Sequence, residues 1–164
     1  MPFVYNLSSK MLAENFTTNG TANTETDHQF VKPGATRAVM IIAIRVGGKG
    51  AGLTALSGIA FRVKTYPTTA SAGGTAETPS PVDVRAPAAV ATAGMSASAG
   101  VTPGTGTATF NTALSCGASG PGGWVAPTPD AALVLDGNQT KSMDLYSSSG
   151  TVSLNFEEST DLQE

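Results

Sequence analysis

The clearest signal along the chain is period-two alternation. From Ile59 to Tyr66, residues Ile59, Phe61, Val63 and Thr65 fall on one side and Ala60, Arg62, Lys64 and Tyr66 on the other, as a half-buried strand requires. Thr36 to Val46 is β-branched and nearly continuously apolar, which predicts a strand covered on both faces. Shorter runs predict strands at Thr26–Lys32, Thr105–Leu114, Ala131–Leu135, Lys141–Tyr146 and Thr151–Glu157, with weaker strand character over Leu12–Thr18. Pro33-Gly34 predicts a turn, proline fixing φ and glycine supplying a positive φ. Gly47 to Gly52 is expected to break the long strand, and Leu53 to Gly58 to form a loop or one helical turn. Asp136-Gly137-Asn138 and Ser148-Ser149-Gly150 predict turns that join the last three strands as consecutive hairpins.

Two stretches lack this patterning. Pro67 to Gly104 is built of Ala, Gly, Ser, Thr and Pro, with Val82, Val84, Val90, Met95 and Val101 as its larger apolar residues. Structureless loops of this length are uncommon in compact domains, so it reads as an ordered excursion stabilised by a neighbouring subunit. Ser115 to Pro129 reads as a second turn-rich loop. No segment carries helical periodicity over about 11 residues with caps. Seven or eight strands with Gly- and Pro-rich connections predict an all-β sandwich, jelly-roll-like or otherwise Greek-key. The expected organisation is an extended N-terminal arm with a first strand over 1–25, one sandwich domain over 26–158 with 67–104 as its long ordered loop, and an exposed acidic tail over 159–164.

Composition narrows the classes. The chain has 164 residues, 13% of them charged, with a formal net charge of −3, against about 25% charged in an average domain. Nine Lys and Arg spread thinly do not make the basic face that nucleic-acid binding needs. No apolar run reaches the ~18 residues of a membrane span, and Met1 to Asn6 does not resemble a secretory signal. One cysteine gives no disulfide framework and no cysteine-based zinc site. A chain rich in alanine and poor in charge is expected of a subunit that lives in an assembly.

Motifs that carry chemistry are weak. Gly50-Ala51-Gly52-Leu53-Thr54-Ala55 fits a loose dinucleotide fingerprint, but the strand at Ile59 follows too soon for the helix such a site requires, and the stretch is not a P-loop, because Lys49 is followed by Gly50 rather than Ser or Thr. His28 and Asp27 are neighbours on a strand and point to opposite faces. Gly117-Ala118-Ser119-Gly120-Pro121 lacks the spacing of a nucleophile elbow. Cys116 has no base near it in sequence and reads as a structural thiol. Glu157, Glu158 and Asp161 stand where a rigid acid–base geometry is hard to hold, and no calcium-loop spacing is present. The sequons at Asn6, Asn15, Asn19 and Asn138 read as products of Thr- and Asn-rich composition. Arg45, Arg62 and Lys64 project from the two best strands, and Arg62, Lys64 and Tyr66 share a face as a small basic–aromatic patch. Trp124, in a Pro/Gly-rich loop, reads either as an interface hot spot or as a core plug. No catalytic, metal-binding or cofactor-binding residue is assigned, and no cofactor is expected.

Four stretches resemble small virion structural proteins of tailed bacteriophages: Pro33-Gly34-Ala35-Thr36-Arg37-Ala38-Val39, the run from Gly52 to Arg62, the run from Cys116 to Pro127, and Ser149 to Glu157. The similarity extends from about Pro33 to Glu158. It implies a non-enzymatic head decoration (cement) protein, β-rich and homotrimeric, made in the host cytoplasm. Such a protein sits on the capsid exterior, with the major capsid protein as partner and neither nucleic acid nor membrane. Interface candidates are Phe3, Tyr5, Arg62 and Trp124. The competing expectation is a head-fibre or tail-associated module that binds host surface glycan, with an exposed Trp124 stacking on sugar.

Overall fold

Alternating burial along the strands sorts the chain into two facing sheets. The computed structural model describes residues 2–8, 16–17, 26–48, 59–95, 101–107, 111–116, 122–137, 140–147, 153–154 and 156–164. In chain order the strands are β1 (Val4–Ser8), β2 (Phe16–Thr17), β3 (Thr26–Lys32), β4 (Val39–Gly48), β5 (Ile59–Tyr66), β6 (Ala72–Gly73), β7 (Thr75–Glu77) and β8 (Ser80–Pro81). There follow β9 (Thr92–Met95), β10 (Val101–Thr102), β11 (Asn111–Cys116), β12 (Gly122–Val125), β13 (Leu133–Leu135), β14 (Ser142–Ser147), β15 (Ser153–Leu154) and β16 (Phe156–Gln163). The helical content of the described residues is one 3-10 turn at Pro129–Ala131.

The first sheet has the order β8-β1-β16-β4-β12, with β13 also on β4; the second has the order β11-β5-β14-β3-β9-β7. β12 and β13 line up on successive halves of β4, opposite Ala43–Val46 and Val39–Ile41, and so form one interrupted edge strand. With that pair counted once, β1-β16-β4-β12/β13 faces β3-β14-β5-β11, every pairing antiparallel. This is the strand order of a jelly roll, one of the double-sheet plans that bury two inner faces against each other. The core between them holds Tyr5, Leu7, Ile41, Ile44, Val46, Leu135 and Leu162 from the first sheet and Val31, Val63, Leu114, Met143 and Leu145 from the second.

Several expectations are corrected. The 159–164 segment is not an exposed tail. It completes β16, the strand between β4 and β1, with Thr160 and Leu162 buried in the interior. Of the acidic residues that suggested a tail, Asp161 points outward to Arg45 and Asn6 and Glu164 is held by the Val90 and Ala91 amides, while Thr160 and Leu162 point in, so pairing and alternation outweigh the charge. Val4–Ser8 is likewise a paired strand rather than an extended arm. The last strands are not consecutive hairpins: β13 pairs β4, β14 pairs β3 and β5, and β16 pairs β4 and β1, so the chain changes sheet at each step. Gly47 and Gly48 do not break β4, because Phe156 and Glu157 pair with them. Within the expected loop 115–129, Gly122–Val125 is an edge strand on β4, a position that tolerates the flanking prolines. The strand expected from Thr105 begins at Asn111, and Thr105 only bridges Thr69.

Gly34 does not supply a positive φ, which among the described glycines belongs to Gly73, Gly74 and Gly106. It supplies space instead: a Cβ there would lie 2.9 Å from the Val90 carbonyl and collide with the Val90 side chain. Of Leu12–Thr18, Phe16–Thr17 is described and pairs with β15. Lys49, the Gly50–Ala55 motif, the Leu53–Gly58 loop, Gly117–Pro121, Ser148–Gly150, Asn15, Asn19 and Asn138 lie outside the described residues.

If β16 is central, Leu162→Ala opens a cavity in the core and lowers the unfolding free energy by about 2–5 kcal/mol. A change in a frayed tail would stay within about 0.5 kcal/mol. Urea denaturation followed by circular dichroism separates the two.

Candidate interaction surfaces

The two outer faces of the sandwich differ, and the Pro67–Gly104 excursion is the cause. It supplies β6 to β10. β8 extends the first sheet beyond β1, β9 and β7 extend the second beyond β3, and β6 pairs with β10 as a separate ribbon. The ribbon segments pack on the outer face of the second sheet, where Asp144 lies fully buried. Its carboxylate accepts hydrogen bonds from the hydroxyls of Ser142 (2.6 Å) and Ser71. The Ser71 amide donates to Ser142 Oγ at 3.0 Å, and the Gly104 amide donates to Ser71 Oγ at 2.7 Å. Each hydroxyl therefore accepts from the excursion's backbone and donates to the carboxylate, which satisfies the buried polar groups. Gly94 allows this third layer to approach, since a Cβ there would lie 2.6 Å from the Gly73 carbonyl.

The expected basic–aromatic patch is drawn into the same packing. Lys64 Nζ sits 4.6 Å from the centre of the Tyr146 ring. The Tyr66 and Tyr146 hydroxyls are 2.7 Å apart, and Tyr146 is buried. Arg62 lies on β5 opposite Ala113 and Tyr146; its side chain, like those of Asp27, His28, Cys116, Glu157 and Glu158, lies outside the described residues.

A second part of the excursion closes one side of the sandwich. The Glu164 carboxylate accepts from the Val90 amide (2.9 and 3.0 Å) and the Ala91 amide (2.6 Å). The Tyr5 hydroxyl donates to the Pro87 carbonyl at 3.2 Å, and the Val82 amide donates to the Val4 carbonyl at 3.0 Å. Tyr5, expected as a contact for a partner, is therefore spent in the subunit's own core, and Phe3 packs half-buried against that core. Between these anchors runs a tight turn. Arg85 grips Asp83 through Nε (3.0 Å) and a terminal nitrogen (2.8 Å), and its amide donates to the same carboxylate at 2.9 Å. The Arg85 side chain, and then its amide, hold the Asp83 carboxyl below the usual carboxylate range. The turn presents Val82 and Val84, the latter 95% exposed.

The outer face of the first sheet carries no third layer among the described residues. Register places its outward side chains in rows across the strands. One row runs Val125–Ala43–Asp161–Asn6, and another runs Val134–Met40–Gln163–Val4. Asp161 is bound by Arg45 at 2.5 Å and by Asn6 at 2.7 Å. Apart from Gln163 the rest of the two rows is apolar; Ala43 is buried, and Val125 and Val134 are more than half exposed. Trp124 is half-buried on β12 opposite Ile44 and packs against the core, as a plug rather than an open platform. The four interface candidates are thus not gathered: Phe3 and Tyr5 stand at one edge of the first sheet and Trp124 at the other. The exposed valines were missed, although Pro81-Val82-Asp83-Val84-Arg85-Ala86-Pro87 carries a signal: valines alternating with charges between two prolines.

Among the described residues, no cluster of His, Cys, Asp and Glu has the geometry of a metal site, and no helix is long and apolar enough to cross a membrane. No protein-family model, curated protein or solved structure matches the chain.

Asp144→Ala leaves two buried hydroxyls without their acceptor, which costs about 1–3 kcal/mol for each group stranded. The expected result is a lower urea midpoint together with faster amide exchange at Ser71 and Gly104. Unchanged exchange there would show that the carboxylate does not hold the third layer down.

Proposed function

We propose that the protein is a non-enzymatic decoration subunit of a phage head. In this reading it is made in the host cytoplasm and docks on the outer surface of the assembled capsid, where it stabilises contacts between capsid subunits. The observation that carries the reading is the outer face of the first sheet. Among the described residues it is a run of paired strands whose side chains are mostly small or apolar, with Asn6 and Gln163 polar and one neutralised charge pair, Arg45–Asp161. A rigid, nearly uncharged face of this kind suits close packing on another protein surface, where charge would have to be desolvated.

Two further features support it. The jelly roll occurs among viral capsid domains as well as lectins and cupins, although a fold alone does not assign a function. The sequence stretches that resemble virion structural proteins include Trp124 and Val125 of β12 and Val39 of β4, on which the face is built. The partners are then the major capsid protein and further copies of the chain, a homotrimer being what the resemblance implies. A glycan-binding role through Trp124 has no observation in its favour, since that ring packs against the core.

Purified protein is expected to cosediment saturably with capsids stripped of decoration. Val125→Asp should weaken that binding about tenfold or more, roughly the effect of 1.4 kcal/mol, without lowering the melting temperature, because Val125 is an exposed edge residue. Wild-type protein that stays in the supernatant at every ratio would overturn the proposal.

A further inference from the structure

A cleft of about 340 Å³ opens at the edge of the first sheet opposite the Val82–Arg85 turn, lined by Thr65, Tyr66, Pro67, Leu133–Leu135 and Lys141. β11 pairs with β5 over Ile59 to Lys64, and Thr65 and Tyr66, the next residues of β5, line the cleft. The gap between them and β13 leads down to Leu135 and Thr65, both buried.

The turn and the cleft stand at opposite ends of one cross-strand row. The Val82 amide bonds to Val4, and Val4 lies opposite Gln163, Gln163 opposite Met40, and Met40 opposite Val134 on the cleft's rim. Four strand spacings separate β8 from β13, about 19 Å at roughly 4.8 Å each. A projection at one end of such a row and a hollow at the other cannot meet within one molecule, but they can between successive copies.

Their chemistry matches. The turn offers two exposed valines flanked by Asp83 and Arg85. The cleft offers an apolar lining flanked by Lys141 and Asp136, which pair with each other. Each side carries one cation and one anion, so Arg85 can turn to Asp136 and Asp83 to Lys141 without leaving a charge unpaired.

We infer that copies of this chain associate head to tail, the Val82–Arg85 turn of one seated in the Leu133–Leu135/Thr65–Pro67 cleft of the next. The contact is heterologous: it closes into a ring if the rotation between copies divides a full turn and otherwise propagates. It does not depend on capsid docking and is measured on protein alone, so failure of either reading leaves the other standing.

The test uses the full chain. Sedimentation equilibrium should show a mass rising with concentration above the 16.5 kDa monomer. Val84→Asp, at a solvent-exposed tip, should weaken the association at least about tenfold with the circular dichroism melt unchanged. Under mild oxidation, a V84C chain mixed with a V134C chain should form a disulfide between the two introduced cysteines, mapped by mass spectrometry, that neither variant forms alone. A monomer at all concentrations overturns the inference, as does association undiminished by Val84→Asp. Preferential self-linking of V84C overturns it too, because that would make the contact isologous.

Discussion

The first sheet exists because the last strand is inserted between the first and the fourth. β16 pairs with β1 on one side and β4 on the other, and both neighbours reach the sheet through it. Leu162 and Thr160 carry the inner side of that insertion, while on the outer side the Asp161 carboxylate binds Arg45 of β4 and Asn6 of β1. One residue thus ties three strands that are far apart in sequence. Pairings of such separation must be bought with loop-closure entropy before they stabilise anything, which places this fold among the slow ones. The end of β16 also reaches past its own sheet, since Glu164 holds the amides of Val90 and Ala91.

That last contact joins the sheet to the excursion, which depends on the sandwich as much as the sandwich depends on it. The excursion has too few large apolar residues to form a core alone. It is ordered by polar anchors instead: Glu164 and Tyr5 at one side, and Asp144 with Ser71 and Ser142 beneath the third layer. A buried carboxylate is costly unless its acceptors are filled. Here two hydroxyls fill them, and each hydroxyl is fixed by a backbone amide. The excursion also occupies one outer face and covers parts of two strand edges, Tyr5–Asn6 of β1 and Gln29–Lys32 of β3, with the chain's own backbone.

What the sequence made legible follows from the range of the forces. Thr26–Lys32 and Ile59–Tyr66 are local patterns, and both strands form with those limits. The all-β class follows from the same signal repeated. The pairing partners do not, because alternation fixes which face is buried and says nothing of the neighbour. Residues 159–164 therefore read as a tail and Ala131–Tyr146 as a hairpin. β12 was hidden because an edge strand of Gly-Gly-Trp-Val draws its order from β4, with little propensity of its own. The surface features were the least legible. Val84 and Val125 resemble core residues in sequence, and only the position of the turn and of the sheet edge puts them in solvent.

Exposed valines scattered singly need no explanation, but these four are not scattered. Val82 and Val84 stand at one end of a cross-strand row, Val134 at the other, and Val125 at the β12 end of the neighbouring row. Contacts made along the row use the edges of the first sheet and leave its outer face untouched. Where the rotation between copies keeps the open faces on a common side, a surface beneath them would meet several faces at once. Weak individual contacts then suffice, since each attached copy raises the effective concentration of the next. In the proposed assembly few charges suffice, because a lateral contact of turn and cleft and a flat contact of sheet face are both specified by the spacing of the strands.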